Sequence, residues 1–214
     1  MKKTFIIILF FIGITNNTFG QNDQKAKALL DEVSANMNSY KTVYVEFTNA
    51  LENLEENIQQ ETTGNASLQG DKYLVNFLGT TTIFDGNKNY LINPEDEEVN
   101  ISDPDENDEI TPAKFFSFYK EGYTYTWDIL QNVQGKKIQF VKLIPIASDS
   151  ELKYVLLGIN SKTKQIHKLI QIGKNGTNFK LTITKFKANT PLPTNLFKFN
   201  RSKYENDGYI INDL

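Results

Sequence analysis

The chain of 214 residues sets 23 Lys and Arg against 26 Asp and Glu, carries one His and no Cys, and is 39% hydrophobic. This is the composition of an ordinary globular protein with enough chain to bury a core. The missing cysteines exclude disulfide frameworks, Cys-ligated metal centres and a thiol nucleophile, while a net charge of −3 gives no support to nucleic-acid binding. Aromatics are the positive feature: 15 Phe, 10 Tyr and one Trp.

Lys2 and Lys3 precede an apolar run from Phe5 to Ile14, followed by polar residues and Thr18-Phe19-Gly20. Basic start, short apolar stretch and small residues make a cleavable export signal over residues 1–20, cut after Gly20. Ten helical residues span about 15 Å, half a bilayer core, so a membrane anchor is not expected. Residues 21–214 then read as one domain.

Asp23 to Tyr40 has helical spacing, with Leu29, Leu30, Val33, Met37 and Tyr40 on one face, and Asn22 or Asp23 is placed to cap it. At Thr42 the period changes from 3.6 to 2. Strands are expected over 42–51, 60–68, 73–78, 81–84, 89–92 and 99–101. Asp85-Gly86 marks a hairpin between the fourth and fifth. A second group follows over 123–130, 137–144, 154–159, 165–172 and 178–186, with Lys174-Asn175-Gly176 as another hairpin. Phe197–Phe199 and Tyr209–Ile211 complete the set as edge strands. Hairpin order without βαβ alternation predicts one antiparallel sheet, mainly β with α.

Between the two groups, Glu95 to Glu109 holds nine acidic residues and no basic one. Asp103, Asp105, Asn107 and Glu109 alternate as calcium ligands could. An EF-hand, however, needs Gly where Asp108 stands and Glu where Lys114 stands, so a solvated acidic loop is expected and no metal. Thr111-Pro112 then opens a helix of about ten residues that Gly122 ends. Its Phe115, Phe116, Phe118 and Tyr119 wrap more than one face, as a core plug or as a lid over an apolar cavity. Tyr123, Tyr125, Trp127 and Ile129 follow on one face of a strand.

Nucleophile-elbow, P-loop, dinucleotide-binding and zinc-protease motifs are absent from the sequence. His167, in Gln-Ile-His-Lys-Leu-Ile, reads as a surface or half-buried strand residue rather than a general base. Neither an enzyme nor a cofactor is expected.

Four segments together resemble the periplasmic outer-membrane lipoprotein carrier proteins of the LolA type. They are the N-terminal helix running into Val43-Tyr44-Val45-Glu46-Phe47; Ile83-Phe84-Asp85-Gly86-Asn87-Lys88-Asn89-Tyr90-Leu91-Ile92-Asn93-Pro94, with Tyr90 at the family's Trp position and Ile92 at its Tyr position; Thr111-Pro112; and the ending Phe197-Lys198-Phe199 with Gly208 to Leu214. The resemblance implies an unclosed antiparallel β-barrel, a half-barrel, with an N-terminal helix and an embedded lid helix over an apolar cavity. It also implies transport of acylated lipoproteins from inner to outer membrane. The partners would be a lipoprotein-releasing transporter and an outer-membrane acceptor, the carrier itself a monomer. Exposing a 16-carbon chain to water costs about 12 kcal/mol at roughly 0.8 kcal/mol per methylene, so a carrier must enclose it.

From alternation and aromatic density, the cavity-lining candidates are Phe77, Phe84 and Tyr90 before the lid and Phe115, Phe116, Phe118 and Tyr119 within it. Tyr125, Trp127 and Phe140 are the candidates beyond it. Many family members latch the lid with an Arg near the start of the third strand. Leu68-Gln69-Gly70-Asp71-Lys72 has none, so apolar contacts are expected to close the lid here. Competing readings are a carrier or sensor of another lipid or a polyketide, a signalling partner, and a non-catalytic structural periplasmic β-protein.

Overall fold

The computed structural model describes residues 18–104, 111–112 and 114–214, with side chains from Asp23 onward. Helix α1 runs Thr18–Ser39. The signal-peptide expectation falls on residues outside the described ones, apart from the first turn of α1, whose backbone is helical across Gly20 and Gln21. Asn22 and Asp23 therefore sit inside the helix and do not cap it. With no Pro from Thr18 to Asn22, nothing breaks the backbone before them. Ala26, Leu29, Leu30 and Val33 are buried along one stripe, with Met37 and Tyr40 partly so. Each large side chain contributes roughly 1.5–3 kcal/mol by leaving water.

Period-2 alternation gives β1 (Val43–Asn53), β2 (Ile58–Gln69), β3 (Lys72–Phe77), β4 (Thr80–Phe84), β5 (Asn89–Asn93) and β6 (Glu98–Ser102). After the long connection come β7 (Tyr123–Val133), β8 (Lys136–Pro145), β9 (Leu152–Asn160), β10 (Ile166–Gly173) and β11 (Asn178–Ala188). A short helix α2 (Arg201–Asn206) and β12 (Ile210–Asp213) end the chain. All twelve strands form one open sheet in the order β12-β6-β5-β4-β3-β2-β1-β11-β10-β9-β8-β7. Neighbours are antiparallel except β12, which lies parallel to β6. The half-barrel expectation is met as a mainly β, unclosed sheet.

Turn chemistry fixes the hairpins. At β4–β5, Asp85 Oδ1 accepts from the Asn87 and Lys88 N–H groups at 2.8 and 3.0 Å, and Gly86 supplies φ +102°. At β10–β11, Asn175 Oδ1 accepts from Thr177 N–H at 3.0 Å. Hairpins build two halves, and β1 pairs with β11 to join them at mid-sheet.

Alternation gives the sheet two faces with separate cores. The inner face packs Val43, Val45, Ala66, Leu68, Val141, Leu143, Val155 and Leu157 against α1 and the 114–120 segment. On the outer face of β3–β6, Leu74, Ile83, Ile92, Val99 and Ile101 are covered by the C-terminal stretch through Leu192, Phe197 and Phe199. Phe197–Phe199 is thus no edge strand. Phe197 is buried, and Phe199 stacks between Tyr90 and Tyr204 at 4.7 and 5.3 Å. Pro191 and Pro193 just before it supply no N–H for a ladder.

The acidic stretch is not one loop: its middle is β6, because Val99 and Ile101 alternate into the second core. Lys88 pairs with Asp103 at 2.7 Å. His167 lies half-buried in β10, with its pKa lowered by burial and by Lys136 and Lys168.

Candidate functional site: a roofed apolar pocket on the inner face

β6 and β7 are consecutive in sequence but lie near opposite ends of the sheet. Part of their connection, Thr111, Pro112 and Lys114 to Lys120, lies over the inner face. The expected ten-residue helix is instead two 3₁₀ turns, Lys114–Phe116 and Phe118–Lys120. Thr111 starts the first: its carbonyl accepts from Phe115 N–H at 2.8 Å and its hydroxyl from Lys114 N–H at 3.2 Å. Three residues per turn align positions i and i+3, so Phe116 and Tyr119 both point inward, 6% and 1% exposed. Phe115 and Phe118 stay half-buried beside them, 6.4 Å apart.

Beneath this segment lies an apolar cavity of about 170 Å³. Its floor is Val45 and Phe47 of β1, Ala66 and Leu68 of β2, Val75 of β3, and Leu181 and Ile183 of β11. Thr111, Pro112, Phe115 and Phe116 form its roof. Beside the pocket, Gly64 stands between Phe47 and Phe77 in register, and the two rings meet across it at 5.6 Å.

Hydrogen bonds tie the roof down. The Tyr119 hydroxyl donates to the Leu30 carbonyl of α1 at 3.3 Å. The Tyr125 hydroxyl, on β7, reaches the carbonyls of Tyr119 and Lys120 at 2.8 and 3.1 Å. Burial pushes the Tyr119 hydroxyl far above its ordinary pKa, with the Asp31 charge adding to it, so it remains a donor. The expectation that apolar contacts close the lid is thereby revised: two tyrosine hydroxyls also hold it. α1 is fixed in turn by Glu32–Lys164 at 2.7 Å and by Asn36 Nδ2 donating to the Thr163 carbonyl at 2.8 Å.

Of the residues singled out from the sequence, Phe115 and Phe116 line this pocket. Phe84, Phe118, Tyr119, Tyr125 and Trp127 belong to the same inner-face core without lining it, and Phe77 stands at its edge against Phe47. Two lie on the opposite face. Tyr90 stacks on Phe199 in the second core and donates to Asp85 Oδ2 at 2.9 Å. Phe140 covers Gly158, where an added Cβ would come within 2.9 Å of its ring. Ile129 also leaves the aromatic face: a bulge after Trp127 exposes it to 56%. Buried Gln139 donates to the Asp128 carbonyl there at 2.7 Å.

Aromatic density missed the aliphatic floor. Its signal was present in the alternation of Val43, Val45 and Phe47, but nothing local marks Ala66, Val75 or Leu181 as sharing one pocket. Among the described residues, no group of three His, Asp or Glu could hold a metal. Nor is any helix there long and apolar enough to cross a membrane.

No curated protein matches the sequence. Among solved structures, the fold is similar to an uncharacterized conserved protein from Thermus thermophilus, at 12% identity and TM-score 0.57 over 89% of this chain and 100% of that one. A lipoprotein-sorting protein domain from Vibrio parahaemolyticus aligns at 14% identity and TM-score 0.48, covering 86% and 100%. The lipoprotein LppX of Mycobacterium tuberculosis aligns at 11% and 0.46, covering 78% and 98%. The family model for the outer membrane lipoprotein carrier protein LolA matches residues 38–200, from the end of α1 through the sheet to the start of the C-terminal segment, and the chain belongs to that family.

Proposed function

We propose that this protein is an exported, periplasmic carrier without catalytic activity. In this reading it shelters lipoprotein acyl chains in the inner-face pocket and ferries them from the inner to the outer membrane. A lipoprotein-releasing transporter would load it and an outer-membrane acceptor would unload it. One observation carries the reading: an apolar floor under an aromatic roof held by a few breakable hydrogen bonds. At about 170 Å³ the pocket is smaller than the roughly 300–1,000 Å³ of ligand sites. Loading therefore requires the 114–120 segment to move, and the mobile part must be this roof rather than the paired sheet.

Mass spectrometry of the full chain recovered from an envelope extract tests the proposal. Recovered acylated lipoproteins support it. Free lipids alone would favour a carrier of another lipid, and a clean protein that takes up no apolar dye would overturn the carrier reading.

A further inference from the structure

One polar group stands at the end of the apolar floor, next to its Leu181. Asn49 follows Val45 and Phe47 on the inner face of β1, about 7 Å beyond Phe47 along the strand. In register it faces Leu181, a pocket residue, on one side and Thr62 on the other. Its Oδ1 is shielded from solvent and has no hydrogen-bond partner among the described residues. Buried polar atoms in native proteins are almost always paired, because an unpaired one loses its hydration without return. Its inner-face neighbours Phe47 and Leu51 along β1 and Leu181 across it are apolar, so a Leu here would avoid that cost.

We propose that Asn49 reads the polar linkage of the bound amphiphile. With the acyl tail between the floor and the roof, Oδ1 accepts the N–H of an amide-linked acyl group. An ester-linked group offers no donor and leaves Oδ1 unpaired. Asn49 is thus a specificity residue, and this role rests on the acyl-pocket reading above.

The test uses the full chain loaded with N-phenyl-1-naphthylamine, a dye that fluoresces in apolar surroundings, and two matched competitors. N-methyldodecanamide and methyl dodecanoate share a tail and differ in the linkage. Without a partner in the pocket the ester would be favoured, since the amide loses more hydration on entering. The expected result is that the amide displaces the dye at about tenfold lower concentration than the ester. Asn49→Leu and, with less bulk, Asn49→Ala remove that preference by weakening the amide alone. Equal displacement in the native chain, or a preference that survives in both variants, overturns the role of Asn49 and leaves the acyl pocket standing. Failure to bind the dye or either amphiphile overturns both.

Discussion

Two tyrosines, Tyr119 and Tyr125, take the place of a latch that the sequence lacks. A hydroxyl hydrogen bond to a backbone carbonyl contributes about 0.5–1.5 kcal/mol net, enough to bias a roof that must also open in the proposed carrier. Tyr125→Phe is expected to lower stability by about that amount and to speed dye uptake in stopped-flow mixing, with strand content unchanged. Tyr119→Phe should do the same and alter the alkaline limb. The folded pKa of Tyr119 is raised, so the unfolded chain releases that proton first, and stability falls as pH climbs past about 10. Urea midpoints at pH 8 and pH 11 should converge more in Tyr119→Phe than in the native protein.

Asp85 gives the opposite sign. Burial opposes its ionisation, yet the Lys88 and Asn87 N–H groups and the Tyr90 hydroxyl prevail, so its pKa is lowered. The stability it contributes is present above the unfolded value near 3.9 and is lost as pH falls through the folded one. Asp85→Asn is therefore expected to lose less stability than the native protein between pH 7 and pH 3, as read by urea midpoints.

At the scale of elements, the roof departs most from its expected form. Thr, Pro and Gly are sound helix signals, but the segment coils as two separate 3₁₀ turns with Phe116 and Tyr119 buried and Phe115 and Phe118 half-buried. The tighter coil puts Phe116 and Tyr119 inward together. Phe116→Asp or Phe118→Asp is expected to impair acyl-chain binding at least tenfold while far-UV circular dichroism keeps the sheet signal. Unchanged binding in both variants would remove the roof from the mechanism. The floor residue Phe47 packs over Gly64, where a Cβ would lie 2.5 Å from the Phe47 ring and 2.8 Å from the Asn76 carbonyl. The ring tip can swing aside but the backbone cannot, so Gly64→Ala is expected to destabilise β1–β3 and alter dye affinity together.

Over the whole molecule, one sheet with two differently covered faces separates the pocket from the core under the C-terminal stretch. The inner face carries a small pocket under the 114–120 segment. The outer face of β3–β6 is sealed by the C-terminal stretch, whose Phe197 is 6% exposed. Phe197→Ala is expected to cost about 3–5 kcal/mol in urea unfolding and to leave dye affinity in the inner pocket unchanged, because the two cores lie on opposite faces.

Strand positions, the Asp85-Gly86 turn, the N-terminal helix stripe and the family resemblance were all legible in the sequence, because each is written within a few consecutive residues. The pattern read as an export signal is local too, though it falls largely outside the described residues. What tertiary structure alone decided was placement: β1 beside β11, Tyr90 and Phe140 on the far face from Phe116, and Asn49 beside Leu181. The aromatic surplus met at the outset divides accordingly between roof, inner core and outer core. Alternation tells that neighbouring residues face opposite ways, but only pairing between distant strands decides which of them share a face and enclose a pocket.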